Sequence, residues 1–324
     1  MRIGIYLDMR NPPEWRRPWA RHYGRWLELV EEAERLGADS VWLSEHHFFE
    51  DGYLPQPLTY AAAIAARTRT VRIGTAVMLP ALRNAVQLAE EAAIVDLVSD
   101  GRLELGVGVG YRVPEFEAFS ARIDHRYHLV EERVREIREL WASGRVTPPP
   151  VQEPIPMWGG FFGPRGARLS GRLGMGLLAA DPRLVASYLA GLEEAGLPAS
   201  VARYAQPWNI VLADDPEAAW PRIKEHLRYS WDTYGRYMVE GTDAPLPPPV
   251  DPEAMRRGGG MDGESAFFMV FTPEQAAEFL RGVAAQVPLE ETFFWGSIAG
   301  MPEDLEERHV ELTCSALRPL LEDV

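Results

Sequence analysis

The chain has 324 residues, 46% of them hydrophobic, and a formal net charge of −15. That size and apolar content are enough for a large buried core, and they also suit a barrel of alternating strands and helices. The negative charge argues against non-specific nucleic-acid binding and against anionic membrane surfaces. A lone cysteine, Cys314, rules out an intrachain disulfide, and its helix-like setting beside Leu312 and Leu317 reads as a small buried side chain. No apolar run approaches membrane-spanning length and no signal peptide precedes the first strand, so a soluble cytoplasmic protein is expected.

Residues 2–8 read as a buried strand, and residues 10–23, rich in Pro, Arg and Trp, as a loop. From Gly24 the period is helical: Trp26, Leu29, Val30, Ala33 and Leu36 share a face and Gly37 ends it. A strand over 38–43 leads into Ser44-Glu45-His46-His47-Phe48. At the carboxyl end of a parallel strand, where ligands bind in such sheets and barrels, an imidazole suits proton transfer near neutral pH. Successive residues point to opposite faces, so His46 and His47 are not expected to share one job. A packing pair or part of a metal site are the competing readings of two adjacent histidines.

A helix rich in alanine follows from Leu58, then a strand over 71–78 ended by Pro80, then a helix capped by Asn84 and closed by Gly101. The strand from Arg102 runs into Gly106-Val107-Gly108-Val109-Gly110-Tyr111, where alternate glycines let another group approach the backbone or allow a tight turn. Residues 126–141 are helical. After five prolines in 145–156, a strand ending at Met157-Trp158 enters Gly159-Gly160-Phe161-Phe162-Gly163-Pro164-Arg165-Gly166. A glycine-rich strand end feeding a helix N-terminus at Pro164 has the physics of a phosphate site. Further strands are expected over 174–179, 204–213 and 292–295, with helices starting at Asp181-Pro182, Asp215-Pro216, the capping box Thr272-Pro273-Glu274-Gln275, and Met301-Pro302-Glu303-Asp304. Eight strand candidates, nearly all separated by helices and with no composition break, are what one (β/α)₈ barrel domain over 1–324 needs. Residues 241–263, with five prolines and five glycines, read as an inserted lid-like mobile loop.

Ser44-Glu45-His46-His47-Phe48, Gly74-Thr75-Ala76-Val77-Met78-Leu79-Pro80, Ser99-Asp100-Gly101-Arg102-Leu103-Glu104-Leu105-Gly106-Val107-Gly108 and Met301-Pro302-Glu303-Asp304 together resemble the bacterial luciferase-like flavin-dependent oxidoreductases, from Met1 to about Leu320. The resemblance implies a (β/α)₈ TIM barrel, a homodimer, and reduced FMN or a related deazaflavin bound at the carboxyl ends of the strands. The Glu-His-His-Phe form resembles the FMN-using, alkanal-monooxygenase-like branch. By the resemblance His46 is the catalytic base and Glu45 lines the flavin pocket. Ala76 and Val77 lie in a bulged stretch behind the flavin ring, with a non-proline cis peptide expected between them. Gly108, Val109, Gly110 and Tyr111 border the ring. Gly159, Gly160, Phe161, Gly163, Pro164 and Arg165 match the phosphate end, with Arg126 able to reach it. No metal is implied. Luciferase has an arginine where this chain has Val109, so one phosphate contact is missing and the carry-over to aldehyde chemistry is weaker.

The implied activity is a monooxygenase acting on a small organic substrate with O₂, served by a separate NAD(P)H-dependent flavin reductase. The alternatives are a deazaflavin-dependent reductase or dehydrogenase of the same fold and a non-catalytic flavin-binding relative. Tyr6, Trp42, Tyr111, Phe161 and Trp295 are the apolar pocket candidates, with Trp42 favoured as core.

Overall fold

The computed structural model describes residues 1–257 and 268–322. Its strands are β1 (Arg2–Tyr6), β2 (Ser40–Leu43), β3 (Arg72–Thr75), β4 (Leu103–Val107), β5 (Met157–Gly160), β6 (Gly176–Leu178), β7 (Tyr204–Trp208), β8 (Ile210–Leu212), β9 (Met269–Phe271) and β10 (Leu289–Trp295). Eight of them close a parallel barrel in the order β1-β10-β7-β6-β5-β4-β3-β2. The α-helices are α1 (Trp19–Arg35), α2 (Pro57–Arg67), α3 (Ala85–Ser99), α4 (Val113–Ala118), α5 (Arg126–Ala142), α6 (Pro164–Arg172), α7 (Val185–Glu194), α8 (Pro216–Val239), α9 (Pro252–Arg257), α10 (Pro273–Ala284), α11 (Glu303–Glu311) and, after a π-helical stretch (Leu312–Leu317), α12 (Arg318–Leu320). This is the expected (β/α)₈ architecture. Among the described residues no helix is long and apolar enough to cross a membrane.

The barrel interior is filled by large rings set against glycines. Trp42 on β2 stacks on Phe293 of β10 at 4.9 Å and meets Trp158 of β5 edge-on at 6.2 Å. A Cβ on Gly74 of β3 would collide with the Trp42 indole, and one on Gly176 of β6 with that of Trp158. Each glycine is therefore the vacancy that its neighbour's tryptophan occupies. Below this layer the barrel floor is ionic. Glu104 pairs with Arg2 at 2.8 Å and also with Arg72, and accepts from the Trp158 indole. Glu291 pairs with Arg2 at 2.7 Å and accepts from the Trp42 indole at 2.6 Å. Burial pushes the Glu291 carboxyl up to about 7, against the pull of Arg2. Trp42 is fully buried core.

Several boundaries differ from the sequence reading, each for a physical reason. The strand expected over 204–213 is two strands. β7 stays in the barrel beside β10, whereas β8 leaves it to pair with β9, which the sequence reading missed. His309 on α11 fixes the departure. Its Nδ1 accepts from Leu212 N at 2.8 Å, so its Nε2 is the donor to Trp295 O at 2.9 Å. The helix expected from Gly24 begins at Trp19. Its first turn exposes Trp19, Ala20 and Arg21, so no apolar period announces it. The third strand ends at Thr75 rather than Met78. The Ala76–Val77 peptide is cis, and Met78 rejoins β4 by a single bridge to Val107. Residues 241–257 of the lid-like stretch include α9, and 258–263 lie outside the described residues. Cys314 is buried, as expected.

Candidate active site

The carboxyl ends of β1 to β5 form one side of the barrel mouth, and α8 crosses over it. Arg10, just beyond β1, is buried and donates from its guanidinium NH1 to Ser230 Oγ (2.6 Å) and Ser230 O (3.0 Å) on α8. Its Nε lies 3.5 Å from Asp8, which in turn accepts from Ala299 N at 2.7 Å. Ser230, Tyr234 and Tyr237 are spaced so that one face of α8 meets the mouth.

His46 and His47 divide as alternate strand-end residues should. His46 lies among rings. Tyr53 stacks on it at 4.3 Å and 22°, Phe49 lies at 4.9 Å, and Tyr111 and Tyr234 both at 6.2 Å. Its Nδ1 is buried with no hydrogen-bond partner among the described residues. Desolvation, followed by the charges of Arg10, His47 and Arg112 in that order, holds its pKa well below the usual histidine value. The imidazole is thus neutral at physiological pH and able to accept a proton. His47 turns away. Its Nε2 is 3.0 Å from Glu45 Oε1, its backbone N–H donates to Glu115 at 2.8 Å, and Phe119 packs on its ring at 4.7 Å.

Glu45 is buried behind the mouth rather than open to it. Besides His47, its carboxylate accepts from Arg83 Nε (2.9 Å), Arg83 NH2 (2.7 Å) and Leu79 N (2.7 Å). It therefore ties the end of β2 to the segment that follows the cis Ala76–Val77 peptide. Val77 reaches between the next two strand ends. A Cβ on Gly108 would strike Val77 Cγ2, and one on Gly160 would strike Val77 Cγ1. A Cβ on Gly159 would meet Phe161 and Ser170. At these three positions close internal packing by itself asks for glycine. Gly163 differs, because a Cβ there has nothing within 4 Å.

Gly163 caps α6 without any side-chain cap bond. Beside it, the Arg165 guanidinium lies 4.2 Å above the Tyr127 ring and that of Arg126 lies 5.5 Å from the same ring. Phe161 runs parallel to Tyr127 at 6.4 Å. Arg126 donates to Ile123 O at 2.9 Å, and its Nε is buried without a partner among the described residues. Among the described residues neither arginine has a carboxylate partner, although the chain abounds in them. The structure thus brings Phe161, Gly163, Pro164, Arg165 and Arg126 to one place, two strands from Val77 and three from His46. Val109, half-buried, packs on the outer core, and Gly110 makes a positive-φ turn (69°) that presents Tyr111 to Tyr234 at 5.4 Å.

Arg112 was not singled out in the sequence. It donates to His47 O at 2.6 Å and to Glu240 at 2.7 and 2.8 Å, and lies 4.6 Å from the Tyr237 ring. This links the loops after β2 and β4 to the end of α8. Arg10, Tyr53, Glu115, Tyr234 and Tyr237 were also missed. Only the Ser230, Tyr234 and Tyr237 spacing carried a sequence signal, since the others become neighbours through tertiary folding alone. Burial raises the Glu115 carboxyl to about 7. No cluster suited to a metal ion is present among the described residues.

Comparison with known proteins agrees with this geometry. The family model of luciferase-like monooxygenases matches residues 1–287. An F420-dependent glucose-6-phosphate dehydrogenase of Amycolatopsis mediterranei (strain U-32) is 34% identical over 173 residues, 47% of this chain and 52% of that protein. The oxygenase component of a flavin-dependent trigonelline monooxygenase of Acinetobacter baylyi is 27% identical over 171 residues, 48% of this chain and 47% of that protein. The chain thus spans about half the length of these curated relatives. The crystal structure of the monooxygenase RslO1 from Streptomyces bottropensis superposes with a TM-score of 0.79 at 23% identity, covering 98% of this chain and 99% of that one, a likeness of fold. With a matching family model over most of its length and the barrel mouth that goes with it, the chain belongs to the luciferase-like monooxygenase family.

Proposed function

We propose that the chain is an FMN-dependent monooxygenase that uses reduced flavin and O₂ to oxidise a small organic substrate. The observation that carries this reading is His46, a neutral imidazole at a strand's carboxyl end with a buried nitrogen that has no partner among the described residues. The residues present also fit a flavin. Gly163 opens onto free space at the start of α6, and Arg165 and Arg126 offer guanidinium groups without carboxylate partners among the described residues. They would hold the phosphate, while Ala76, Val77 and the Gly108 to Tyr111 turn would border the ring. Bound there, reduced flavin would supply the electrons and activate oxygen. The chain's own work is then to orient, to exclude water and to move a proton at His46. The aromatic residues Phe49, Tyr53, Tyr111 and Tyr234 keep the imidazole dry, and Glu45 and His47 brace the strand end that carries it.

This reading brings with it a separate NAD(P)H-dependent flavin reductase, in keeping with the name of the Acinetobacter baylyi relative as an oxygenase component. It also brings a homodimer in the cytoplasm. The second reading is a deazaflavin-dependent dehydrogenase, favoured by the F420-dependent name of the Amycolatopsis mediterranei relative. Titrating the purified protein with FMN and with the deazaflavin, followed by absorbance, tests the two. Tighter binding of the deazaflavin replaces the first reading with the second, and binding of neither removes both.

A further inference from the structure

Among the described residues, the arginines acting on His46 have counter-charges, and His47 faces Glu45 at 3.0 Å. Arg10 lies against Asp8 at 3.5 Å and Arg112 is held by Glu240 at 2.7 Å. The nearby carboxylate Glu45 is likewise held by Arg83. A charged ligand beside the imidazole would find no uncompensated partner in these groups, and burying it would be costly. What the mouth offers instead is hydroxyl groups. Tyr6 at the end of β1 and Tyr53 in the loop after β2 have their phenol oxygens 2.5 Å apart, both rings buried. Ser44, two residues before His46, is buried, and its hydroxyl has no hydrogen-bond partner among the described residues.

Two phenols carry two protons, and their mutual bond uses one. Among the described residues no hydrogen bond takes up the second proton, and the Ser44 hydroxyl is likewise unpartnered. The Arg10 guanidinium lies 4.3 Å from the centre of the Tyr53 ring and draws electron density from it, which strengthens the phenol as a donor. Burial raises both phenol pKa values, so both stay protonated at neutral pH. The walls beside this polar spot are apolar rings: Trp295, 4.6 Å from Tyr6, and Phe49, 5.8 Å from Tyr53.

We propose that Tyr6, Tyr53 and Ser44 form the polar end of a substrate subsite beside His46. It takes the carbonyl or hydroxyl oxygen of a neutral, otherwise apolar molecule. This rests on the reading of the mouth as an oxidoreductase site and narrows its substrate. It separates the chain from a phosphorylated sugar, the substrate in the name of the Amycolatopsis mediterranei relative, because a phosphate beside His46 would face only arginines that are already paired.

The test uses the full chain without added cofactor, carbonyl-¹³C acetophenone as the probe, and its infrared band as the readout. Ethylbenzene and benzoate serve as the oxygen-free and charged counterparts. On binding, the acetophenone carbonyl band should move to lower wavenumber. Tyr53→Phe and Tyr6→Phe should each reduce that movement and weaken acetophenone about two- to tenfold, the worth of one hydrogen bond. Ethylbenzene affinity should be unchanged in both, which also reports an intact pocket, and benzoate should bind more weakly than acetophenone. An undiminished band shift in both variants overturns the proposal. So does benzoate binding more tightly than acetophenone, or no acetophenone binding at millimolar concentration. Cofactor titration of the same preparations separates the two levels. A carbonyl shift without flavin or deazaflavin binding removes the oxidoreductase reading and keeps the subsite, whereas cofactor binding with no phenol-dependent shift does the reverse.

Discussion

Replacing Glu45 distinguishes a residue that braces the site from one that touches the cofactor. The carboxylate is buried and accepts from four donor atoms: His47 Nε2, two nitrogens of Arg83 and the Leu79 backbone N–H. In Glu45→Ala the Leu79 N–H is left unsatisfied and Arg83 loses its nearest charge. Glu91 at 3.5 Å and Gln56 at 3.1 Å remain as partial substitutes for Arg83. Breaking a buried pair of this kind costs about 3–5 kcal/mol. With an unfolding entropy of about 2.1 cal/mol/K per residue, that lowers Tm by roughly 4–7 °C for a chain of this size. The assay is thermal unfolding of the cofactor-free protein by circular dichroism, with FMN titration at a temperature where the variant is folded. A Tm within about 1 °C of wild type, together with a large loss of FMN affinity, would show that Glu45 acts on the ligand and would refute the bracing argument.

His46→Ala should reduce turnover by roughly 10²–10⁴-fold with little change in flavin affinity. Because its pKa lies below the usual histidine value, wild-type kcat/KM should hold as pH falls past 6.5 and decline only below it, so a limb at or above 6.5 contradicts the assignment. Gly163→Val adds a side chain into open space on extended backbone (φ −149°), so it should leave Tm unchanged yet weaken FMN much more than riboflavin; equal losses would place the phosphate elsewhere. Burial keeps the Glu291 proton in the folded state up to about 7, against an ordinary value of 4.5, so its contribution to stability is present below 4.5 and lost as pH rises through 7, a span worth about 3 kcal/mol. Glu291→Gln should remove that part of the slope in urea midpoints between pH 4.5 and 7, and identical pH dependence in the two proteins would exclude it.

The local elements were legible because local chemistry specifies them. Asn84, Asp215 and Thr272 accept from the backbone N–H groups of the helices they precede, as their spacing to the following residues indicated. The alternation of successive residues parted His46 from His47. The motif around Ala76–Val77 carried the cis peptide. Glycine clusters, by contrast, were ambiguous from sequence. Free space for a ligand and space filled by a neighbouring side chain ask for the same residue, and only the folded structure shows that a Cβ at Gly108, Gly159 or Gly160 would meet a neighbouring side chain.

By itself the sequence determined the barrel, the strand ends that form its mouth and the imidazole placed there, because period, caps and turns are short-range and repeat along the chain. Tertiary structure alone decided that Glu45 faces inward to Arg83 and that α8 closes over the mouth through Ser230 and Arg10. It alone brought Tyr6 to Tyr53, 47 residues away. Such contacts join residues far apart in the chain whose meeting depends on barrel closure and helix packing, and no local pattern encodes which distant donor will find which acceptor.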